Sequence, residues 1–300
     1  KITKKLFIAT SSFSELTMKR CRLFNRKGLR VIKNPLKRKL DKKNLLNLAK
    51  DADFIIAGTE DYNKEIIDKL RKLKFLFRLG SGTDNLDINY LQSKRIGFKK
   101  SNITPEISVA ELIIGYIIMT LRKIHTTDQN LKQKNWKKEM GYNLNGKTVG
   151  IIGFGKVGKY LKKLLQGFGV KILVNDIKIK KNKNINIKFL LKNSDIVSIN
   201  TNIKKGKKIL NKSNLNLLKR NCILINTSRP EILDYDHLYK LLSKKKILGA
   251  ALDVFKNEPY YGKFCKLKNV ILTPHIGGYS KEIRSKMEQE ALNQFDELLK

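Results

Sequence analysis

The sequence predicts an α/β protein built on parallel sheets, and three observations predict it. Short apolar runs of strand length alternate with amphipathic, helix-length segments along most of the chain, the pattern of strands covered by helices on both faces. The alternation comes in two series, one ending before residue 100 and the other starting at Lys147. The second series opens on GIIGFGKVGKY, a glycine-rich turn between an apolar run and a helix-like segment.

In the first series KKLFIAT reads as a strand and SELTMKRCRLFNRKG as a helix ending at Gly28. LRVIKNP is a second strand, stopped at Pro35, whose ring fixes φ and removes a donor. DKKNLLNLAKD is a helix with Asp41 as its cap. ADFIIAG is a third strand, NKEIIDKLRKL a helix and FLFRLG a fourth strand. SVAELIIGYIIMTLRKI, residues 108–124, is apolar on nearly every face, which predicts a helix buried between domains or subunits. QNLKQKNWKKEMGYNLNG then makes a polar excursion closed by a turn at Asn145-Gly146. In the second series KTVGIIGFG, VKILVND, DIVSIN, CILINTS, ILGAALDVF and NVILTPH are six strand-like runs, the count of a doubly wound nucleotide-binding domain. SKEIRSKMEQEALNQFDELLK closes the sequence as an amphipathic helix.

The bulk numbers exclude several classes. A formal net charge of +38 over 300 residues suggests nucleic acid as a partner. The lysines are spread along the whole chain, however, with no basic tail and no Arg-rich block, so no nucleic-acid partner is expected. The field would still favour an anionic substrate. Cys21, Cys222 and Cys265 are too few and too far apart for a disulfide framework or a metal site, which predicts a reducing cytoplasm and no bound metal. The longest apolar stretch, LIIGYIIMTL, is well short of the ~20 residues of a membrane span, so no membrane partner is expected.

Gly153, Gly155 and Gly158 form G-x-G-x-x-G at the right place, after a strand and at the start of a helix. Gly153 would permit the tight turn, Gly155 the approach of a pyrophosphate, and Gly158 close packing of helix on strand. The N–H groups of Lys156 and Val157 would face the phosphates. Asp176 ends the next strand 18 residues beyond Gly158. An acid there accepts hydrogen bonds from the adenosine ribose and repels a 2′-phosphate, which predicts NAD as cofactor. Three polar residues stand at the ends of later strands: Arg229 in INTSRPEIL, Glu258 in ALDVFKNEP and His275 in ILTPHIGG. Ligands of open α/β sheets bind outside that edge. Histidine can give and take a proton near neutral pH, arginine can hold a planar carboxylate bidentately, and a carboxylate can orient an imidazole.

With these residues in place, the chain resembles the D-isomer-specific 2-hydroxyacid dehydrogenase family, and within it the phosphoglycerate dehydrogenases. LGSGTDNLD, SVAELIIG, GKTVGIIGFGKVGK, INTSRPEILD, GAALDVFKNEP and TPHIGG match in order over nearly the whole length. The resemblance implies two Rossmann-like doubly wound domains, the cofactor domain (100–278) inserted in a substrate domain (1–99 with 279–300). It implies a homodimer formed through the 108–124 region and a small anionic 2-hydroxy or 2-keto acid as substrate. Arg229 would grip the substrate carboxylate and keto oxygen, His275 would be the acid/base, and Glu258 would hydrogen-bond its imidazole. Amides near Ser81 and Gly82 would receive the carboxylate. Asp253 would hold the nicotinamide carboxamide, and Ser81, Thr201, Thr227, Ser228, Gly277 and Gly278 would line the cofactor. The sequence departs from the pattern in places. Pro230 stands where many members have glycine. Glu60 and Asp61 stand where phosphoglycerate enzymes commonly offer arginine to the phosphate, with only Lys64 nearby. Phosphoglycerate is the substrate the resemblance favours, with glyoxylate/hydroxypyruvate or D-lactate as the alternatives. A non-catalytic, NAD-sensing corepressor shares the fold, but the presence of Arg229, Glu258 and His275 speaks against it.

Overall fold

The computed structural model describes every residue except 1–3, 15–18, 20–23, 26, 180–183, 202–207 and 300. The chain divides into two compact units, Lys1–Thr104 with Ser280–Lys300, and Pro105–Tyr279. The helix expected over SELTMKRCRLFNRKG falls largely outside the described residues.

The first unit holds a five-stranded sheet in the order β2-β1-β3-β4-β5, all pairs parallel. Its strands are β1 (Lys4–Ile8), β2 (Leu29–Lys33), β3 (Phe54–Ala57), β4 (Phe75–Arg78) and β5 (Gly97–Lys100). Side chains alternate between its faces, as strand geometry requires. Phe7, Ile55 and Leu76 pack with α1 (Lys42–Ala49), α2 (Lys64–Lys69) and α3 (Ile88–Ser93). Leu6, Ile8, Phe54, Ile56, Phe75 and Phe77 pack instead with Ile283, Met287, Leu292 and Phe295 of the C-terminal helix, Lys281–Leu298. Asp41 caps α1 by accepting from the amide of Asn44.

The second unit holds a six-stranded parallel sheet in the order β11-β10-β9-β8-β6-β7. All six strands fall on the runs read from the sequence: β6 (Thr148–Ile152), β7 (Lys171–Asn175), β8 (Ile196–Ile199), β9 (Ile223–Asn226), β10 (Gly249–Leu252) and β11 (Val270–Leu272). The order reverses at β6, flanked by β7 on one side and β8 on the other. The crevice outside the carboxyl ends of β6 and β8 is therefore the switch point where such sheets take ligands.

The helix expected over 108–124 is α4 (Glu106–Leu121), followed by α5 (Ile124–Lys132). The chain breaks between them at Lys123, whose φ of 51° is left-handed, so α5 occupies part of the expected polar excursion. Val109, Ala110, Ile113, Tyr116, Ile117 and Leu121 of α4 are buried. They pack with α6 (Lys156–Leu165) and the inner strands. α7 (Ile187–Asn193), α8 (Lys212–Leu215) and α9 (Tyr235–Ser243) complete the unit. Among the described residues no helix is long and apolar enough to cross a membrane.

Candidate active site

The glycine loop leaves β6 at Gly153, whose φ of +94° only glycine adopts without strain. A Cβ there would lie 2.6 Å from Thr201 Cβ and 2.7 Å from the Asn200 backbone, so the glycine lets the loops after β6 and β8 meet at the switch point. A Cβ on Gly158 would lie 2.2 Å from the carbonyl oxygen of Gly153, which seats α6 tightly on its strand. Gly155 is exposed, with open space where its Cβ would stand. It is the N-cap of α6, and no side chain caps it. A helix start leaves its first amides without helical partners and at the positive end of the dipole. Lys156 and Val157 open this helix, so the cradle fits a pyrophosphate.

Asp176 follows β7, and its carboxylate accepts from the amides of Phe154, at 2.6 Å, and Lys178, at 2.7 Å. The acid read from spacing is thus tied to the glycine loop itself. A carboxylate has about four acceptor positions, which leaves room for ribose hydroxyls.

Arg229 follows β9 in extended conformation and precedes a 3-10 turn, Pro230–Ile232. Pro230 suits the first position of that turn, where its fixed φ fits. Asn226, fully buried at the end of β9, sets the turn: its side chain donates to the Arg229 carbonyl at 3.1 Å and accepts from the Ser228 amide at 3.0 Å. Ser228 Oγ donates to the carbonyl of Ile199, at the end of β8, at 2.9 Å. Thr227 Oγ1 is buried without a hydrogen-bond partner, which leaves its donor to a ligand at this edge. Thr201 and Ser228, both half-buried, stand at the same carboxyl edge of the sheet.

His275 follows β11 with a φ of 58°, rare outside glycine. Its Nδ1 lies 3.2 Å from Glu258 Oε2, while Glu258 Oε1 accepts from the Phe255 amide at 3.2 Å. The imidazole keeps 39% of its surface exposed and the Glu258 side chain 19%, so the pair is held from one side and open on the other.

Asp253 holds the histidine loop. It is fully buried, and Oδ1 accepts from Thr273 Oγ1 at 2.6 Å and the Ile276 amide at 2.7 Å, while Oδ2 accepts from the Gly277 amide at 2.8 Å. Tyr116 of α4 hydrogen-bonds the same Thr273 hydroxyl. Burial pushes the Asp253 carboxyl upward, and the hydrogen bonds from Thr273, Ile276 and Gly277 together with the His275 charge pull it back. Three of its acceptor positions are taken, which leaves about one for a carboxamide. Gly277 and Gly278 press on the chain itself: their Cβ atoms would stand 3.1 Å from Asp253 and 3.2 Å from Pro105.

Within the second unit, Arg229, Glu258, His275, Asp253 and the glycine loop thus come to one sheet edge. Ser81 and Gly82 belong to the first unit, in the loop leaving β4. Asn226, Thr273 and Tyr116 were missed in the sequence. The signal for Asn226 was there, a polar residue closing an otherwise apolar strand.

The family model described as the NAD binding domain of D-isomer specific 2-hydroxyacid dehydrogenases matches residues 114–277. The chain is similar to a glyoxylate reductase of Thermococcus litoralis, 34% identical over 267 residues that cover 82% of this chain and 80% of the relative. It is similar to a D-3-phosphoglycerate dehydrogenase of Methanocaldococcus jannaschii, 34% identical over 257 residues, which cover 81% of this chain and 49% of the relative. Among solved structures, the NAD+-bound 3-phosphoglycerate dehydrogenase of Entamoeba histolytica superposes with a TM-score of 0.78 at 26% identity, covering 98% of this chain and 94% of that one.

Proposed function

The chain belongs to the D-isomer-specific 2-hydroxyacid dehydrogenase family, and from that footing we propose an NAD-dependent reductase of a small unphosphorylated 2-keto acid, glyoxylate or hydroxypyruvate. The observation that carries the chemistry is the His275–Glu258 pair, 3.2 Å apart and open to solvent on one side. It stands on the sheet that also carries the glycine loop. The phosphoglycerate reading rests on the motifs, and what weighs against it is the loop after β3. That loop carries no arginine, and its Glu60 is 2% exposed, folded into the unit.

The geometry supports the following roles. His275 Nδ1–H donates to Glu258, which fixes the ring and leaves Nε2 for the proton of the keto oxygen in reduction, or of the hydroxyl in oxidation. Arg229 takes the substrate carboxylate with its planar guanidinium, and the amides near Ser81 and Gly82 share it, as the motif implies. When bound, the nicotinamide supplies or accepts the hydride. Asp253 keeps the histidine loop in its left-handed turn.

A turnover screen with NADH tests the substrate. Glyoxylate or hydroxypyruvate should exceed 3-phosphohydroxypyruvate and pyruvate in kcat/KM. A preference for the phosphorylated acid restores the phosphoglycerate assignment, and no turnover with any 2-keto acid supports the corepressor-like reading.

Assembly belongs to the same proposal. Ile124 (44%), Leu131 (53%), Trp136 (80%) and Met140 (88%) are exposed apolar side chains close in sequence, which supports a partner over this stretch. We assign it to a two-fold homodimer built on the second unit. Light scattering in about 0.15 M salt, where the charge is screened beyond ~8 Å, should give twice the chain mass. A monomer mass rejects the dimer.

A further inference from the structure

A second polar cluster lies in the first unit, at the carboxyl ends of β3 and β4, and nothing in the reaction so far uses it. Arg78, the last residue of β4, is half-buried. Its Nη1 donates to the carbonyl of Leu79 at 2.7 Å, and its Nε points to Asn85 Oδ1 at 3.4 Å. Asn85 in turn donates to the carbonyls of Gly58, at 3.2 Å, and Glu60. The Glu60 carboxylate is folded back onto the Gly58 amide at 2.9 Å. Tyr62 beside it is fully buried, and its hydroxyl has no hydrogen-bond partner. Burial pushes both the Glu60 carboxyl and the Tyr62 hydroxyl upward, and the Arg78 charge opposes it in each.

Such a cluster costs stability. Buried polar groups are paired in most proteins, and an unpaired hydroxyl or a desolvated carboxylate is penalised. What it achieves is the shape of one loop. Arg78 grips the root of the segment Leu79–Asn85 at the Leu79 carbonyl and its far end at Asn85, and Asn85 ties that end to the loop after β3. Inside the segment Gly80 has a φ of +151°, and a Cβ on it would stand 2.7 Å from Arg78 Nη1. The guanidinium is thus packed under the turn that carries Ser81 and Gly82, and only glycine admits it there.

We infer that Arg78, braced by Asn85, is a positioning residue for substrate: it holds the Ser81–Gly82 amides in the geometry that receives the 2-keto acid carboxylate and sets a positive charge beneath them. This rests on the proposed function, which gives those amides the carboxylate. Amide donors bind an anion well only when held within about 0.5 Å of their working geometry, and a surface loop is otherwise the more mobile part of a fold. The role is separate from the proton and hydride chemistry, so it is read in substrate affinity rather than in the rate at saturation.

The test is steady-state kinetics with glyoxylate, NADH affinity, and calorimetric binding of oxamate to the NADH-loaded protein, for the wild type, Arg78→Met, Arg78→Lys and Asn85→Ala. In Arg78→Met, KM for glyoxylate and Kd for oxamate should rise at least tenfold, while kcat changes less than threefold and NADH affinity less than twofold. Arg78→Lys keeps the charge on a single donor nitrogen and should recover part of the loss. Wild-type KM and oxamate affinity in a folded Arg78→Met protein overturn the inference, as does a fall confined to kcat. Should that variant not fold by circular dichroism, Asn85→Ala decides: a KM at least threefold higher supports the role, and an unchanged KM overturns it. If the wild type turns over no 2-keto acid, the proposed function fails instead, and oxamate binding still reports on the loop.

Discussion

The histidine loop of the second unit and the Ser81 loop of the first solve one problem with opposite charges. Each leaves the carboxyl end of a parallel strand, each contains a left-handed residue, His275 at 58° or Gly80 at +151°, and each is held by a single charged side chain. Asp253 is negative and gathers donors, the Ile276 and Gly277 amides and the Thr273 hydroxyl. Arg78 is positive and grips acceptors, the Leu79 carbonyl and the Asn85 side chain. The surroundings differ as well. The second unit leaves His275 and Glu258, the pair proposed for the proton chemistry, partly exposed, whereas the first seals Glu60 and Tyr62 away. A reacting group must reach its substrate, while the Glu60 carboxylate holds the Gly58 amide better out of water, where that hydrogen bond has less competition.

The largest expected effect tests which side chain performs chemistry. His275→Gln should lower kcat at least ~10²-fold, the scale of lost general acid–base catalysis, with NADH affinity nearly intact. A mutant that keeps wild-type kcat removes His275 from the mechanism and with it one side of the comparison.

Breaking the negative brace comes next. Asp253→Ala leaves three donors around a buried site without their acceptor. It should destabilise the protein by about 1–3 kcal/mol in chemical denaturation, and kcat should fall about tenfold because His275 is no longer held in its turn. A loss of NADH affinity with kcat preserved would show instead that the carboxylate serves the nicotinamide carboxamide.

The smallest effect concerns Asp176, which touches the glycine loop but neither brace. Wild-type protein should use NAD better than NADP, and Asp176→Ala should narrow the kcat/KM gap about tenfold, near 1.4 kcal/mol, as the repulsion of a 2′-phosphate is removed. A wild-type preference for NADP would show that lysine at 178 or 180 captures the phosphate.

The six strands of the second unit, the glycine loop and the Asp41 cap were legible in the sequence because each is written locally. Apolar runs set strands by period, Gly153 is required by a backbone angle, and a cap needs only its own helix. The first unit was read less completely. β5 was missed because GFKK is a short edge strand with one neighbour and two exposed lysines, which carries almost no apolar signal. The helix 108–124 was read without its break because nothing in LRKI announces a left-handed lysine at 123.

The sequence by itself determined the α/β class, the place of the dinucleotide loop and the order of Arg229, Glu258 and His275 along strand ends, since periodicity and motif spacing are properties of neighbouring residues. Only the tertiary structure decided where the buried charges point. Glu60, which the sequence marks only as an acid where an arginine is expected, turns inward to the Gly58 amide. Asp253 turns toward the amides 23 and 24 residues away. Arg78, unremarked in the sequence, closes a loop with Asn85. A hydrogen-bond partner is chosen by what folding brings within about 3 Å, and residues far apart in the chain meet there only after the sheet has placed them.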